Sequence, residues 1–149
     1  MSPDYLKAQF LRSAAVEYAK HFIGLPYQWG GDDPILGFDC SGLIVEILQS
    51  VGLLPHASDA TANALYLRFR AHELERGYGG CLVFWFNAAG LATHVELMID
   101  DYHTIGASGG GSSTTSASAA AAQNAFIKQR PIGYRGRSFK IVDPFKVML

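Results

Sequence analysis

Apolar residues recur at helical spacing in the first half of the chain. Between residues 5 and 22 they fall three to four positions apart, which predicts an amphipathic helix that stops at Gly24. A second apolar stripe over 43–51 predicts a helix that begins near Cys40. A less regular pattern predicts a third helix over about 60–72, so the first half is expected to be helical.

The second half of the chain changes to short apolar runs typical of strands. The predicted strands lie in the segments CLVFWF (81–86), THVELMI (93–99), DDYHTIGAS (100–108), NAFIKQRPIGYRG (124–136) and FKIVDPF (139–145). Between the third and fourth strands, GGGSSTTSASAAAAQ predicts a flexible loop at about 108–122, with a weak helical tendency in its alanines. Helices followed by strands predict an α+β fold with N-terminal helices packed on a central antiparallel sheet.

Composition limits the chain to a single domain and excludes some partners. Its 149 residues are 49% hydrophobic, enough for one core over 1–149. The net charge of -1 and the scattered basic residues give no reason to expect nucleic acid. The N-terminal segment has charges among its apolar residues, so neither a signal peptide nor a membrane span is expected.

The two cysteines, Cys40 and Cys81, are expected to be free thiols, because a chain of this size does not need a disulfide. A zinc site needs closely spaced pairs of Cys and His. No such spacing relates these cysteines to His94 or His103, so no metal and no cofactor is expected.

Cys40 follows Asp39 at the predicted start of the second helix. If Asp39 caps this helix, the thiol lies in the first turn, where the helix dipole favours a reactive thiolate. His94, on a later strand, is the candidate base. Plain alternatives remain, since a cysteine that opens an apolar helix often only packs. A strand histidine is likewise more often structural than catalytic.

The sequence around Cys40 helps to decide between a packing role and a catalytic role. The segment GLPYQWGGDDPILGFDCSGLIVEILQSVGLLP (24–55) resembles the signature of the NlpC-type papain-like cysteine peptidases, which cut the peptide stems of bacterial cell walls. The shared features are PY-x-WGG, then DCSG, then an apolar helix, and THVELMI resembles the family's His-Val strand. The resemblance covers about 14–107 and implies a papain-like fold.

This resemblance also implies roles for individual residues. Cys40 would be the nucleophile, His94 the general base and then acid, and the Tyr27 hydroxyl would help to hold the oxyanion. Three residues would contact substrate: Asp39, Ser41 and Trp29. Plain roles compete for each of these. Asp39 could only cap the helix, Ser41 could satisfy backbone N–H groups, Tyr27 could pack with a hydrated hydroxyl, and Trp29 could be a core residue at a tight turn.

The sequence departs from the family at the third catalytic position. The family usually has a polar residue, often histidine, about a dozen positions after the catalytic histidine, and here Gly106 stands there. His103 and Ser108 are nearby substitutes, but His103 lies an odd number of residues from Gly106 and should point to the opposite face. The third position is therefore unassigned. Cys81 stands where the family commonly has an acidic residue, and the sequence offers no physical reason for this difference.

A weaker resemblance concerns the end of the chain. The segment from 106 to 145, with AFIKQRPI and a closing DPF, is similar to peptidases encoded with bacteriophage tail genes and gene-transfer particles. The two resemblances together imply a peptidoglycan hydrolase that cleaves the γ-D-glutamyl-diamino acid bond. The expected partners are the stem peptide and tail-hub proteins, and the expected location is the phage tail, or the host cytoplasm before release. One alternative is a catalytically weakened module that binds the wall or plugs a tail hub. Others are a lysin or a bacterial wall-remodelling enzyme, and an enzyme that uses the same thiol chemistry for acyl or amide transfer to another acceptor.

Overall fold

The structure, a computed structural model, describes residues 2–33, 37–56 and 59–149. Four α-helices lie in these ranges: α1 (Pro3–Lys20), α2 (Cys40–Ser50), α3 (Ala62–Phe69) and α4 (Ala117–Gln123). A 3-10 turn at Arg70–His72 directly follows α3, so the predicted third helix is shorter than 60–72 and ends in this tighter turn. None of the helices in the described ranges is long and apolar enough to cross a membrane.

The strands are β1 (Asp32–Asp33), β2 (Gly37–Phe38), β3 (Glu73–Leu74), β4 (Leu82–Phe86), β5 (Ala92–Met98), β6 (His103–Ser108), β7 (Phe126–Pro131) and β8 (Phe139–Val142). In the described part of the chain, β3-β8-β4-β5-β6-β7 is the order of a sheet whose neighbours all pair antiparallel. β1 and β2 form a separate two-stranded ribbon. The predicted α+β class and antiparallel sheet are confirmed.

α2 is the central helix of the core. Leu43, Ile44, Ile47 and Leu48 are fully buried, as their helical spacing predicts, and they belong to the main apolar cluster between the helices and the sheet. Burial of this stripe fixes the rotation of α2 about its axis. The same burial therefore sets where the first turn of α2, with Cys40, meets the sheet.

The opposite face of the sheet carries a second, smaller cluster, made by Cys81, Val83, Trp85, Met98 and Ile141. Cys81 is fully buried there, and burial raises the pKa of its thiol to about 12. The structure thus supplies the account of Cys81 that the sequence lacks, namely apolar packing. Both cysteines are free, as predicted.

The Gly/Ser/Ala-rich segment contains α4. The Ser116 side chain caps this helix by accepting from the Ala119 N–H at 3.1 Å, and Asn124 ends it with a φ of 53°. Ala120 and Thr114 are fully buried, so the segment contributes to the packed structure. The alanine run is helical, as its weak tendency indicates, and flexibility of 108–122 stays a prediction.

A buried ion pair joins the two ends of the chain. Arg12 in α1 donates to Asp143 from Nη2 at 2.7 Å and from Nε at 3.4 Å. The Tyr78 hydroxyl donates to the same carboxylate at 2.5 Å, and the Phe145 N–H donates at 3.0 Å. Asp143 therefore holds α1 against the C-terminal DPF segment.

Candidate active site

Asp39 builds the start of α2. Its Oδ1 accepts from the Gly42 N–H at 2.7 Å, which is the helix cap expected from the sequence. Its Oδ2 accepts from the Gly30 N–H at 3.1 Å. The Ser41 hydroxyl donates to Asp39 Oδ1 at 3.4 Å, so Ser41 supports the cap instead of satisfying a backbone N–H. Both side chains are partly exposed, and their contact with substrate stays a prediction.

Two glycines hold the WGG turn against this helix end. A Cβ at Gly42 would collide with the Gly31 carbonyl oxygen and lie 2.8 Å from Asp39 Oδ1. The Asp39 N–H donates to the same Gly31 carbonyl at 3.1 Å. Only glycine fits at position 42, which explains the last residue of DCSG in terms of packing.

Trp29 lies on the surface beside this turn. It is 52% exposed, so the alternative of a core tryptophan is wrong. Its main-chain N–H donates to the Thr114 carbonyl at 2.7 Å, which ties the turn to the Gly/Ser/Ala-rich segment. The exposed indole is available to a ligand, and its role in substrate binding stays a prediction.

The Cys40 thiol reaches the strand that carries His94. The main-chain N–H groups of Val95 and Ser41 lower the pKa of this thiol, and Val95 is the residue after His94. Helix α2 packs along β5, which explains how residues more than fifty positions apart come together. The structure thus brings the predicted nucleophile to the strand of the predicted base.

The expected acidic thiol is not found. Burial, and after it the Asp39 carboxylate, raise the pKa of Cys40 to about 11, against the Val95 and Ser41 N–H groups and Arg135, which lower it. The helix dipole favours a thiolate at this position. Packing of α2 also removes the thiol from water, and this burial has the larger effect.

His94 is held within the sheet. It pairs with Trp85 of β4, the two rings lie 5.5 Å apart, and His94 is only 4% exposed. Its Nε2 lies 2.6 Å from Oε2 of Glu96, two residues further along β5. Alternate residues of a strand share a face, which explains this contact.

Glu96 is the site residue that the sequence analysis missed. It is 1% exposed, and its Oε1 accepts from the Thr104 hydroxyl at 2.6 Å. Its Oε2 accepts from the Tyr134 hydroxyl at 2.5 Å as well as from His94. Burial opposes ionisation, but the interactions with His94, Thr104 and Tyr134 outweigh it and hold the pKa of Glu96 below its ordinary value. Glu96 is therefore an anion beside the imidazole.

The substitutes considered for the third position lie elsewhere or act indirectly. The His103 ring contacts Asp100 at 3.1 Å in the exposed β5–β6 turn. Ser108 is buried and lowers the pKa of the Tyr134 hydroxyl, so it acts one step beyond Glu96. The sequence signal for Glu96 was an acid two residues after the histidine within a strand, which strand periodicity places on the same face.

Tyr27 lies near the thiol, as the resemblance implies. It is 6% exposed, and burial, Cys40 and Asp39 together raise the pKa of its hydroxyl to about 12. The Arg135 charge lowers the pKa of both Tyr27 and Cys40. Arg135 is exposed in the loop between β7 and β8, and no motif in the sequence pointed to it. Its side chain adds a positive charge close to the thiol.

The residues that the structure describes contain no cluster of three or more His, Cys, Asp or Glu that could hold a metal ion. The site contains a thiol at the start of α2, and an imidazole and a carboxylate that contact each other on β5.

Comparison with known proteins tests the resemblance. The model of the family described as NlpC/P60 matches residues 24–131, which include Tyr27, Cys40, His94 and Glu96. The chain belongs to the NlpC/P60 family. The prediction of family membership is confirmed, and the β strands up to β7 lie within the matched NlpC/P60 region.

Curated NlpC/P60 relatives are longer than this chain. Murein DD-endopeptidase MepH of Escherichia coli is 35% identical over 96 residues, which cover 62% of this chain and 35% of MepH. Gamma-DL-glutamyl hydrolase of Bacillus subtilis is 44% identical over 46 residues, or 30% of this chain and 11% of that protein. The chain thus spans about a third of MepH and a smaller part of the hydrolase.

Solved structures confirm the fold. The P60 domain of antigen MAP1204 from Mycobacterium avium subspecies paratuberculosis superposes with a TM-score of 0.66 at 20% identity. The match covers 93% of this chain and 97% of that domain. The papain-like NlpC/P60 fold is therefore present over nearly the whole chain.

Proposed function

We propose that this chain is a peptidoglycan endopeptidase that cleaves an amide bond of the stem peptide with Cys40 as nucleophile. The observation that carries the proposal is the packing of α2, which begins at Cys40, on β5, where Glu96 holds the His94 ring. Membership of the NlpC/P60 family and the name of the relative MepH supply the substrate class.

The raised pKa of Cys40 decides how the first step runs. A thiol with a pKa of about 11 carries little negative charge at neutral pH, so His94 removes its proton as the sulfur attacks the carbonyl carbon. The imidazolium then donates this proton to the leaving amine as the C–N bond breaks and an acyl-enzyme forms. Water, deprotonated by His94, attacks the acyl carbon, and the thiol leaves with the proton restored.

Further residues serve this reaction in the proposal. The Tyr27 hydroxyl, whose raised pKa keeps it protonated, donates a hydrogen bond to the oxyanion of the tetrahedral intermediate. Three partly exposed or exposed residues near the helix start contact the substrate: Asp39, Ser41 and Trp29. Arg135 attracts a free carboxylate of the stem peptide toward the thiol.

The bond proposed is the one between γ-D-glutamate and the diamino acid. The support is the DCSG-type signature and the similarity to a protein named gamma-DL-glutamyl hydrolase. A second candidate is a bond between two D-centres, because MepH, named a DD-endopeptidase, is similar over a longer stretch. The two bonds release fragments of different mass.

A phage-tail setting is part of the same proposal. Its support is the similarity of the segment from 106 to 145 to tail-associated peptidases, and the proposed partners are tail-hub proteins. The test is to purify phage or gene-transfer particles and to search them for this chain by mass spectrometry. Finding the chain only in host cells, and not in particles, would contradict the phage-tail setting.

The alternative of a catalytically weakened binding module rested on the glycine at position 106. Gly106 has no side chain that could contact the His94 ring, but Glu96 contacts it. The main reason for this alternative is therefore weaker. The alternative still makes a distinct prediction, which is wall binding without thiol-dependent release of fragments.

The test is digestion of purified peptidoglycan followed by mass spectrometry of the soluble fragments. Wild-type protein should release stem fragments whose masses identify the bond, and Cys40→Ala should release none. Cys81→Ala is the matched control, since Cys81 lies in the second apolar cluster and should be dispensable for cleavage. Equal release by Cys40→Ala and wild type would refute the proposal, whereas wall binding without any release would support the binding module.

A further inference from the structure

We propose that Glu96 is the positioning residue of His94, and that Gly106 is glycine because the Glu96 side chain occupies the space where a side chain at 106 would stand. The inference deepens the proposed function and rests on it for the role of His94. It assigns the orienting group to the histidine's own strand instead of the next one.

The contact has the geometry that orientation needs. The distance of 2.6 Å between His94 Nε2 and Glu96 Oε2 is a short, charge-assisted hydrogen bond. Both side chains are buried, so water does not compete for either partner. His94 and Glu96 are two residues apart on β5, where they pair with Trp85 and Val83 of β4, and this pairing fixes their backbones.

The hydrogen bonds around Glu96 also fix the tautomer of His94. The carboxylate accepts from Thr104 and Tyr134, so it is an acceptor with its pKa held low. An ionised carboxylate has no proton to donate, hence His94 Nε2 must carry the hydrogen of this contact. In the neutral ring, Nδ1 then has the free lone pair and is the atom that takes the thiol proton.

Tyr134 and Thr104 hold the carboxylate from two other elements. Thr104 lies on β6, and Tyr134 lies in the loop after β7. The Tyr134 hydroxyl donates to Glu96 Oε2 at 2.5 Å, and the Thr104 hydroxyl donates to Oε1 at 2.6 Å. The carboxylate therefore has little freedom to follow or leave the imidazole.

Gly106 completes the arrangement. A Cβ built at this position would lie 2.5 Å from Glu96 Cδ and 2.7 Å from Oε2, which is closer than real Cβ atoms approach. Any other residue at 106 would push the carboxylate from His94. Gly106 therefore does not mark a lost catalytic residue. It leaves the space that the Glu96 carboxylate of β5 occupies.

The test compares Glu96→Gln with Asp100→Asn. Asp100 also contacts a histidine, His103, but in an exposed turn, so it is the matched control for losing a carboxylate–imidazole contact. Two readouts are measured on folded protein: kcat for release of stem fragments, and the rate of Cys40 alkylation by iodoacetamide from pH 6 to pH 11. Cys81→Ala is the background, so that Cys40 is the one thiol modified.

The expected result for Glu96→Gln is a loss of kcat of about a hundredfold or more, as for other orienting partners of a catalytic histidine. Alkylation at pH 7 should slow by about tenfold or more, and the rates should converge at high pH where the thiol ionises unaided. Asp100→Asn should match wild type in both readouts. A merely structural Glu96 would change the melting temperature but leave the alkylation profile unchanged.

Gly106→Ala and the exchange Glu96→Gly with Gly106→Asp give a second route if Glu96→Gln does not fold. Gly106→Ala should slow both readouts, because its methyl group displaces Glu96. In the double variant, the aspartate at position 106 should place a carboxylate oxygen near the present position of Glu96 Oε2, because a Cβ at 106 would lie 2.7 Å from that atom. The double variant should therefore regain part of the lost alkylation rate.

The results that overturn the inference are distinct from those that overturn the function. Wild-type kcat and alkylation in folded Glu96→Gln, or in Gly106→Ala when Glu96→Gln does not fold, would refute the role of Glu96. Alkylation does not require peptidoglycan. An alkylation rate that depends on Glu96, in a protein that releases no stem fragments, would uphold the inference and refute the proposed function.

Discussion

The main-chain N–H of Val95, the residue after His94, lowers the pKa of the Cys40 thiol. This effect comes from the backbone of β5, so replacement of Val95 by another apolar residue should preserve it. The position of the Cys40 thiol is thus set by the packing of α2 on β5.

His94→Ala should reveal the raised pKa of the thiol. Without its base, Cys40 reacts only as thiolate, so alkylation in this variant should rise with pH until about 11 and be slow at neutral pH. Wild type should react faster at pH 7 because His94 takes the proton. Iodoacetamide rates measured across this range, in a Cys81→Ala background, check the prediction, and an alkylation midpoint near 8 in His94→Ala would contradict it.

Arg135→Gln should slow alkylation of Cys40 at neutral pH. The Arg135 charge lowers the pKa of Cys40, so its removal raises that pKa further and reduces the thiolate population. We expect an effect of about two- to fivefold, which fades in high salt because the side chain is exposed. Arg137→Gln, in the same exposed loop, is the control and should react as wild type does. An effect of equal size in both variants would show that only net charge matters.

Asp39→Ala should cost stability through the helix cap. Loss of the Asp39–Gly42 hydrogen bond is expected to cost about 1 kcal/mol of the free energy of unfolding. Asp39→Asn can keep this bond, so it should cost less, and its neutral side chain should speed alkylation of Cys40 by removing a charge that raises the thiol pKa. Urea denaturation and iodoacetamide rates measure the two effects. Slower alkylation in folded Asp39→Asn would contradict the electrostatic part.

Asp143→Ala should strongly destabilise the fold without touching the site. It leaves the buried Arg12 guanidinium without its carboxylate, a change that typically costs about 3–5 kcal/mol. Glu17→Ala is the control, because its pair with Lys20 is exposed on both sides and should be worth less than about 1 kcal/mol. Urea denaturation of both variants gives the free energies, and a small cost for Asp143→Ala would mean that water reaches Arg12.

The sequence by itself determined the fold class, the course of α1 and α2 and the positions of the main strands along the chain, and it singled out Cys40 and His94 as candidates. These depend on local signals: helical spacing of apolar residues, the Asp39 cap, strand runs and the DCSG text. Only the tertiary structure decided the pKa of Cys40, the exposure of Trp29, the packing of Cys81 and the place of Arg135. It also decided the partner of His94. Whether Glu96 reaches the imidazole depends on the free space at Gly106 and on the hydroxyl groups of Thr104 and Tyr134, which come from different strands and loops. Burial and distance between remote residues are properties of the packed chain, and no pattern of neighbours along the sequence contains them.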